Sequence, residues 1–208
     1  MPHINIKKGH DIRISGKPDK NITSLNNSKT LAILPTDFKG VKPKLIVKEG
    51  DKVKIGSSLF FDKNNPDIKW ASPGSGKIKN IEYGPRRVIQ KIEILLSDNQ
   101  ENIEHKKYKR TDIANLGRKQ VLSSILEANI FPIFRQRPFN IIPDPAISPR
   151  DIFVSAVDTS PLGVDLDMVM ADEVENFQAG MDVLNILTDG KVYLTTKPGS
   201  VLSSIQNV

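Results

Sequence analysis

Short stretches in which apolar and polar residues alternate fill the first hundred positions of the chain. Alternation with a period of two is typical of strands that bury one face, and turn-forming residues separate the stretches. The predicted strands are residues 30–35, 44–48, 52–55, 58–62, 68–71, 77–81 and 88–95, preceded by two weaker pairs, Ile4 with Ile6 and Ile12 with Ile14. Many short strands punctuated in this way predict a small closed or sandwiched β-rich domain.

The hydrophobic period changes after a polar stretch at residues 97–112. Four apolar residues between 121 and 126 share one face of a predicted helix over 116–128. The pattern then predicts a strand at 152–157, a helix at 172–188, a strand at 191–196 and the start of a helix near Ser200. A strand, a helix and a strand in this order predict a right-handed βαβ unit, so both strands are expected in a parallel sheet.

These patterns divide the chain into two domains of different class, one β-rich and one α/β. We expect a β-rich domain at 1–100 with a core over about 38–96, a polar linker at 101–112 and an α/β domain at 113–208. The strand at 152–157 is expected to be buried. A sheet with so few strands predicts that this domain is incomplete at its C-terminus and that the sequence is the N-terminal part of a longer protein.

The composition is that of a soluble globular protein, with 38% hydrophobic and 26% charged residues among 208. The absence of cysteine excludes disulfides, iron–sulfur clusters and thiolate zinc sites held by this chain. No apolar stretch approaches the roughly 18–20 residues of a membrane helix. The first residues, MPHINIKK, lack the apolar run of a signal peptide, so a soluble cytoplasmic protein is expected.

The net charge of +6 conceals a division between the two halves of the chain. Residues 1–120 hold 25 Lys and Arg against 13 Asp and Glu, whereas residues 121–208 hold 5 against 11. A basic half is compatible with a solvated surface, an anionic membrane surface or an acidic protein partner. Nucleic acid is disfavoured as a partner, because no aromatic-interleaved or RNA-recognition motif accompanies the lysines.

Residues 74–77 (GSGK) resemble the end of a phosphate-binding P-loop. A P-loop requires Ser or Thr after the lysine and a glycine six positions before it, but Ile78 and Ala71 occupy these positions. A turn between two strands is therefore the favoured interpretation.

Other chemical motifs are weak. His3, His10 and His105 are widely separated and lack paired carboxylates, so no metal site is predicted. Residues 158–161 (DTSP) follow a predicted parallel strand, where ligands gather in open α/β sheets. A turn in which the Asp and Ser side chains bond their own backbone explains the same residues equally well.

Two segments, 47–60 (VKEGDKVKIGSSLF) and 71–78 (ASPGSGKI), resemble the biotinyl/lipoyl type of barrel-sandwich hybrid. The hairpin between such segments presents the modified lysine in carrier domains. We expect residues 64–67 to form the tip of this hairpin, which displaces Lys63 toward the strand. The resemblance therefore implies a carrier-like fold without its attachment site.

A wider set of motifs resembles the NqrA family of the sodium-translocating NADH:quinone reductases of bacteria. The segments are IKKGHDIRISGKP (6–18), GVKPK (40–44), FDKNNP (61–66), GPRR (84–87), RQRPF (135–139), IFVSAVDTSP (152–161), FQAG (177–180) and LTDGKVY (187–193). The resemblance implies a peripheral subunit on the cytoplasmic side of the bacterial inner membrane, together with subunits B to F. The complex is a translocase that oxidises NADH, reduces ubiquinone and exports Na⁺, using flavins and iron–sulfur centres held elsewhere. This subunit is linked to the quinone-reducing step, and no residue of the chain is assigned a catalytic role.

The family is also related to the NADH-binding flavoprotein subunit of complex I and to the large soluble subunit of the Rnf complex, which implies a Rossmann-like second domain. The relatives bind flavin phosphate and nucleotide with a glycine-rich loop after the first helix of that domain. The corresponding residues 129–139 (NIFPIFRQRPF) contain no glycine, and Pro132 and Pro138 lack an N–H. We therefore expect no cofactor bound by this chain. Two alternatives stay open: an NADH- and FMN-binding subunit of the Rnf or complex I type, and a scaffold or carrier domain without a redox role.

The same loop supplies the candidate site, which we expect at the mouth of the α/β sheet. The candidate residues are Phe131, Phe134, Arg135, Arg137, Phe139 and Asp158. Phenyl rings and guanidinium groups offer a quinone head a flat apolar wall and hydrogen-bond donors. Alternatively, the rings fill the space of a lost flavin while the arginines pair with carboxylates such as Asp158, or the loop docks another subunit.

Overall fold

Two antiparallel sheets make up the first part of the protein in the computed structural model, which describes residues 9, 12, 14–16, 19–24 and 28–208. The strands are β1 (Thr30–Ile33), β2 (Pro43–Leu45), β3 (Lys52–Val53), β4 (Ser58–Asp62), β5 (Asn65–Ala71), β6 (Gly76–Tyr83) and β7 (Ile89–Leu96). One sheet has the order β1-β7-β6-β3 and the other the order β2-β4-β5. Short 3-10 helices at Pro35–Asp37 and Pro85–Arg87 complete this part. The predicted pair Ile4 and Ile6 lies outside the described residues, and Ile12 and Ile14 lie in no strand.

The two sheets bury their inward-facing side chains in one core. Ile78 and Ile92 point inward from β6 and β7, and Phe60 and Trp70 point inward from β4 and β5. The rings of Phe60 and Trp70 stack with centroids 4.7 Å apart. This alternation of buried and exposed positions agrees with the sandwich predicted from the sequence, because removal of apolar surface from water drives the two sheets together.

The β4–β5 hairpin has a tighter tip than the sequence pattern predicts. Asp62 pairs with Asn65, so Lys63 and Asn64 form the turn. The buried carboxylate of Asp62 accepts hydrogen bonds from the Lys42 N–H at 3.1 Å and the Asn64 N–H at 3.0 Å, which fixes this register. The predicted tip at 64–67 is wrong, and Lys63 occupies the turn rather than the strand.

The turn at residues 72–76 has a structural explanation and resembles no phosphate cradle. The Ser72 hydroxyl donates to the Gly74 carbonyl at 2.7 Å, and Gly76 begins β6 against the backbone of β7. The predicted turn between two strands is therefore confirmed.

The polar stretch that follows β7 is partly fixed to the first sheet pair. The Ile55 N–H donates to the Glu101 carbonyl, the Ile103 N–H donates to the Ile55 carbonyl, and both distances are 2.9 Å. The Lys54 ammonium lies 2.7 Å from the Glu101 carboxylate. Backbone hydrogen bonds do not depend on side-chain polarity, so a stretch with the composition of a free linker is anchored at its beginning.

The second part of the protein contains the helices. Its elements are 3-10 helices at Arg110–Asn115, Phe131–Ile133 and Val201–Ser204, helices α1 (Arg118–Glu127), α2 (Leu166–Met170) and α3 (Val174–Leu187), and strands β8 (Ile152–Ser155) and β9 (Val192–Thr195). Strands β8 and β9 are parallel, with α3 as the crossover, as predicted. The predicted helix near Ser200 is a short 3-10 turn, in which the Ser200 hydroxyl accepts from the Leu202 N–H.

Only one face of the β8–β9 sheet is covered within the described residues. Val192 of β9 and Met181 of α3 are buried in one cluster, whereas Phe153 of β8 is 74% exposed. On the open face the rings of Phe153 and Tyr193 stack at 5.0 Å. The prediction of a buried strand at 152–157 is therefore wrong for this face of the sheet.

The main core continues from the sheets into the helical part. Val121 and Ile125 of α1 and Leu187 of α3 belong to the same cluster of buried residues as the strands of the first part.

The longest helix of the described ranges, α3, has 14 residues, and no helix in those ranges is long and apolar enough to cross a membrane.

Candidate functional site

The loop that carries most of the candidate residues begins at Asn129, directly after α1. Asn129 has a left-handed backbone with φ +58°, and the N–H groups of Asn129 and Ile130 donate to the carbonyls of Leu126 and Ile125. This is the hydrogen-bond pattern that ends many helices, and asparagine is among the residues that tolerate it. The Asn129 side-chain amide is buried and donates to the Gly56 carbonyl at 3.0 Å and the Ser58 hydroxyl at 2.9 Å. The loop is therefore attached to β4.

The inner half of the loop belongs to the protein core. Phe131 and Pro132 are buried in the short 3-10 helix Phe131–Ile133, which packs against β5. The Phe134 ring meets the Phe131 ring edge-on, with centroids 5.4 Å apart. These rings fill the junction between the first sheet pair and α1. Their described contacts are with the main core and β5, and the expected location at the mouth of the β8–β9 sheet stays a prediction.

Arg135 is held by the protein itself. Its guanidinium group lies 5.8 Å from the centroid of the Phe38 ring and donates to the carbonyls of Phe134, at 2.9 Å, and Pro132. A guanidinium group over an aromatic face is attracted by the ring quadrupole. The expected pairing of Arg135 with a carboxylate is not found in the described part of the chain.

The outer half of the loop faces solvent. The Gln136 N–H donates to the Ile141 carbonyl at 2.7 Å, which closes a tight turn that contains the cis bond between Arg137 and Pro138. Phe139 is 63% exposed within this turn, and its carbonyl accepts from the Lys39 ammonium at 3.3 Å. Arg137 is exposed and forms no ion pair within the described ranges. The outer half thus combines an exposed aromatic ring with an exposed arginine two residues before it and a lysine bonded to its backbone.

Asp158 lies apart from this group. It follows β8, and its carboxylate accepts from the Ser160 hydroxyl at 2.6 Å and from the Ser160 N–H at 2.9 Å. These hydrogen bonds and the charge of Lys197 hold the pKa of Asp158 below its usual value. Among the described residues it pairs with neither Arg135 nor Arg137. The local turn, one of the two interpretations that the sequence left open, accounts for its contacts.

The geometry of the loop does not fit a flavin or dinucleotide phosphate. Close approach of a phosphate to backbone requires several N–H groups without bulky side chains. Phe131 and Pro132 are packed into the core, and the Phe134 N–H is bonded to the Phe131 carbonyl at 3.1 Å. The exposed outer half can offer a planar apolar ligand one ring surface and donors for carbonyl oxygens.

Comparison with known proteins identifies the family. A family model described as the NqrA N-terminal barrel-sandwich hybrid domain matches residues 4–97, and one described as the NqrA second alpha/beta domain matches residues 116–208. The chain belongs to the NqrA family of the Na⁺-translocating NADH-quinone reductases.

Three relatives, each named as the A subunit of a Na⁺-translocating NADH-quinone reductase, illustrate the similarity. The protein of Pseudomonas aeruginosa strain UCBPP-PA14 is 39% identical over 207 residues, which are 97% of this chain and 46% of the relative. The protein of Marinomonas sp. strain MWYL1 is 37% identical over 203 residues, 98% of this chain and 45% of the relative. That of Yersinia pseudotuberculosis strain IP 31758 is 38% identical over 204 residues, with the same shares. The chain spans about half the length of these curated relatives.

Membership of the NqrA family agrees with the barrel-sandwich hybrid and α/β domains expected from the sequence. The sequence did not indicate three of the residues that shape the candidate site: Phe38, Lys39 and Asn129. Asn129 had a local signal, because asparagine directly after a helix favours the left-handed conformation. Phe38 and Lys39 had none, since their contacts with the loop join positions about a hundred residues apart.

Proposed function

We propose that this chain acts in a peripheral subunit on the cytoplasmic face of the bacterial inner membrane, within a complex that reduces ubiquinone to ubiquinol with electrons from NADH and exports Na⁺ to the periplasm. Membership of the NqrA family supports this assignment, because its curated members are named as subunits of a Na⁺-translocating NADH-quinone reductase. The partners are then subunits B to F of the complex, and ubiquinone is its substrate. The Rossmann-like relationship of the second domain to the complex I flavoprotein subunit belongs to the same proposal.

Within the complex, the outer half of the 129–139 loop is the proposed contact for the quinone head. The observation that carries this role is the exposed Phe139 ring, which stands two residues after the exposed Arg137 and whose backbone carbonyl accepts from the Lys39 ammonium. A quinone requires a flat apolar wall and hydrogen-bond donors toward its two carbonyl oxygens, and a ring with flanking cations supplies both. Phe131 and Phe134 support the loop from the inside, and the exposed Arg135 holds it against the Phe38 ring; none of the three contacts substrate in this proposal.

The test is substitution of Arg137→Ala and Phe139→Ala in the full-length protein within the intact complex. We expect ubiquinone reduction to fall by about tenfold, the effect of losing one good contact to substrate, while reduction of the flavins by NADH is unchanged. Arg150→Ala is a matched control, because Arg150 is an exposed arginine whose ion pair is with the neighbouring Asp151. Unchanged ubiquinone reduction in both variants would overturn the proposed contact.

A second candidate function, a carrier domain, is favoured by one observation. Lys63 is exposed in the two-residue turn of the β4–β5 hairpin, where carrier domains of the barrel-sandwich type present their modified lysine. Intact mass of the protein isolated from its native cells distinguishes the two functions. A fixed added mass that is lost in Lys63→Arg would establish the carrier role, and the unmodified mass would exclude it.

A further inference from the structure

The outer face of the three-stranded sheet is basic. Lys44 of β2 pairs with Phe61 of β4, and Phe61 pairs with Lys69 of β5, so the three side chains form one row across the sheet. The Lys44 ammonium lies 5.6 Å from the centroid of the Phe61 ring, and Phe61 is half-buried. The opposite face of the same strands holds Phe60 and Trp70 in the core. The row therefore points away from the protein interior.

More lysines lie at the end of this sheet. The Lys63 N–H donates to the Lys42 carbonyl at 2.9 Å, which places both residues at the tip of the hairpin. The Asn64 side chain reaches the Gly40 carbonyl at 3.5 Å, so the segment that contains Lys39 lies beside the same tip. We call Lys39, Lys42, Lys44, Lys63 and Lys69 the lysine face.

The charges of the lysine face are not neutralised within the described part of the chain. None of its five lysines has a carboxylate of the described residues within 4.0 Å, whereas three lysines near the other sheet do. Those three pairs are Lys54 with Glu101, Lys79 with Glu93 and Lys91 with Glu82. Asp62 is buried, and its carboxylate accepts hydrogen bonds from backbone N–H groups. Asp37 and Asp67 are exposed nearby and form no ion pair with these lysines.

Exposed apolar side chains border the lysine face. Phe139 is 63% exposed and its carbonyl accepts from Lys39, whereas Ile133 is 71% exposed and ends the 3-10 helix that packs against β5, the strand of Lys69. Lysines beside exposed aromatic and aliphatic side chains are typical of surfaces that lie on an anionic bilayer, where the ammonium groups meet headgroups and the apolar groups enter the interface. An acidic protein surface would account for the lysines alone, so the apolar border favours lipid.

We infer that the lysine face binds anionic lipid headgroups, with Phe139 and Ile133 at the membrane interface. The inference builds on the proposed function, since it places the proposed quinone contact at the surface from which a lipid-soluble quinone arrives. Its test involves neither quinone nor turnover, so either proposal can fail while the other stands.

The experiment is co-sedimentation of the full chain with vesicles of phosphatidylcholine alone and of phosphatidylcholine mixed with phosphatidylglycerol, at about 0.1 M salt, where exposed charges interact over about 10 Å. We expect binding to the mixed vesicles only, and a loss of about tenfold in affinity in the double variant Lys42→Gln and Lys63→Gln. Phe139→Ala is expected to weaken the same binding by about threefold or more. Lys42 and Lys63 form their hydrogen bonds in the turn through backbone atoms alone, so we expect circular dichroism to show an unchanged fold in the double variant.

The matched control is the double variant Lys52→Gln and Lys77→Gln, which removes the same charge from paired positions of the four-stranded sheet. Equal losses in the control and the test variant would overturn the inference, because the binding would then follow net charge. Binding to phosphatidylcholine alone, or no binding to either vesicle, would overturn it as well. The chain could fail to bind the vesicles while the Lys42 and Lys63 double variant dissociates from the intact complex at a lower salt concentration than wild type. In that case the lysine face binds an acidic protein.

Discussion

The side-chain amide of Asn129 donates to the hydroxyl of Ser58 at 2.9 Å, across 71 positions of sequence. A second bond from the same nitrogen reaches the Gly56 carbonyl at 3.0 Å. Asn129 combines these bonds with the left-handed backbone that ends α1. One residue thus ends a helix of the second part and attaches it to a strand of the first, and it sets where the candidate loop begins.

Replacement of Asn129 tests this attachment. Asn129→Ala removes both hydrogen bonds and leaves two half-buried acceptors without this donor. It also places alanine, whose side chain cannot form a compensating bond, in the left-handed region. We expect it to lower the free energy of unfolding by about 3 kcal/mol. Asn129→Gly loses the same bonds but accepts the backbone, so its cost is expected to be about 1 kcal/mol smaller. Denaturant unfolding measures both, and equal stability of wild type and Asn129→Ala would contradict the assigned role.

Two glycines with opposite surroundings provide a second test. A Cβ added at Gly76 would lie 2.0 Å from the Leu95 carbonyl oxygen, which belongs to the backbone of the neighbouring strand and cannot move alone. Gly76→Ala is therefore expected to cost about 3 kcal/mol or more.

Gly180 is the control for this substitution. It lies inside α3, and apart from its chain neighbours and the adjoining helix backbone no atom of the described residues comes within 4 Å of an added Cβ. Gly180→Ala is expected to raise stability by about 0.5–1 kcal/mol, because alanine is the better helix former. Thermal unfolding of the two variants measures both effects, and shifts in the same direction would contradict this account of the β6–β7 packing.

The sequence predicted the strands and the parallel βαβ unit well, because their signals are local. The boundaries of β4 were predicted without error, since its apolar residues stand between turn residues. The tip of the β4–β5 hairpin was predicted wrongly, because the buried carboxylate of Asp62 fixes the turn by accepting from the N–H of the distant Lys42. The contacts of the candidate loop depend on distant segments in the same way. Arg135 over Phe38 is a contact between distant segments, and no periodicity reports it.

The structure also predicts how one carboxylate affects stability at low pH. The Asp151 carboxylate accepts from the Arg150 guanidinium at 2.8 Å and from the Lys191 N–H at 3.1 Å, and both bonds hold its pKa below the usual value. A carboxylate with a lowered pKa in the folded state stabilises the fold above the unfolded pKa of about 3.9, and the effect is lost as the pH falls through the lower, folded value.

Asp151→Asn removes this titration. We expect the variant to be less stable than wild type near neutral pH and the difference to shrink below about pH 4, where wild type loses its own contribution. Urea unfolding at several pH values between about 2.5 and 7 measures the difference. A difference that stays constant over the whole range would show that the ionised form of Asp151 contributes nothing.

Arg135 and Arg137 stand two residues apart and are expected to differ in what they do. Arg135→Ala removes the contact with the Phe38 ring and two hydrogen bonds to carbonyls, so we expect it to lower the free energy of unfolding by about 1–2 kcal/mol. Arg135→Lys is expected to recover little, because an ammonium group lacks the planar fork that serves both the ring and the carbonyls. Arg137 is exposed without an ion pair in the described ranges, so Arg137→Ala is expected to change stability by less than about 0.5 kcal/mol. Thermal unfolding of the three variants and ubiquinone reduction by the complex together separate the two roles. If the Arg137→Ala variant is stable but loses ubiquinone reduction, Arg137 contacts substrate. If the variant is destabilised, the outer half of the loop is part of the scaffold instead.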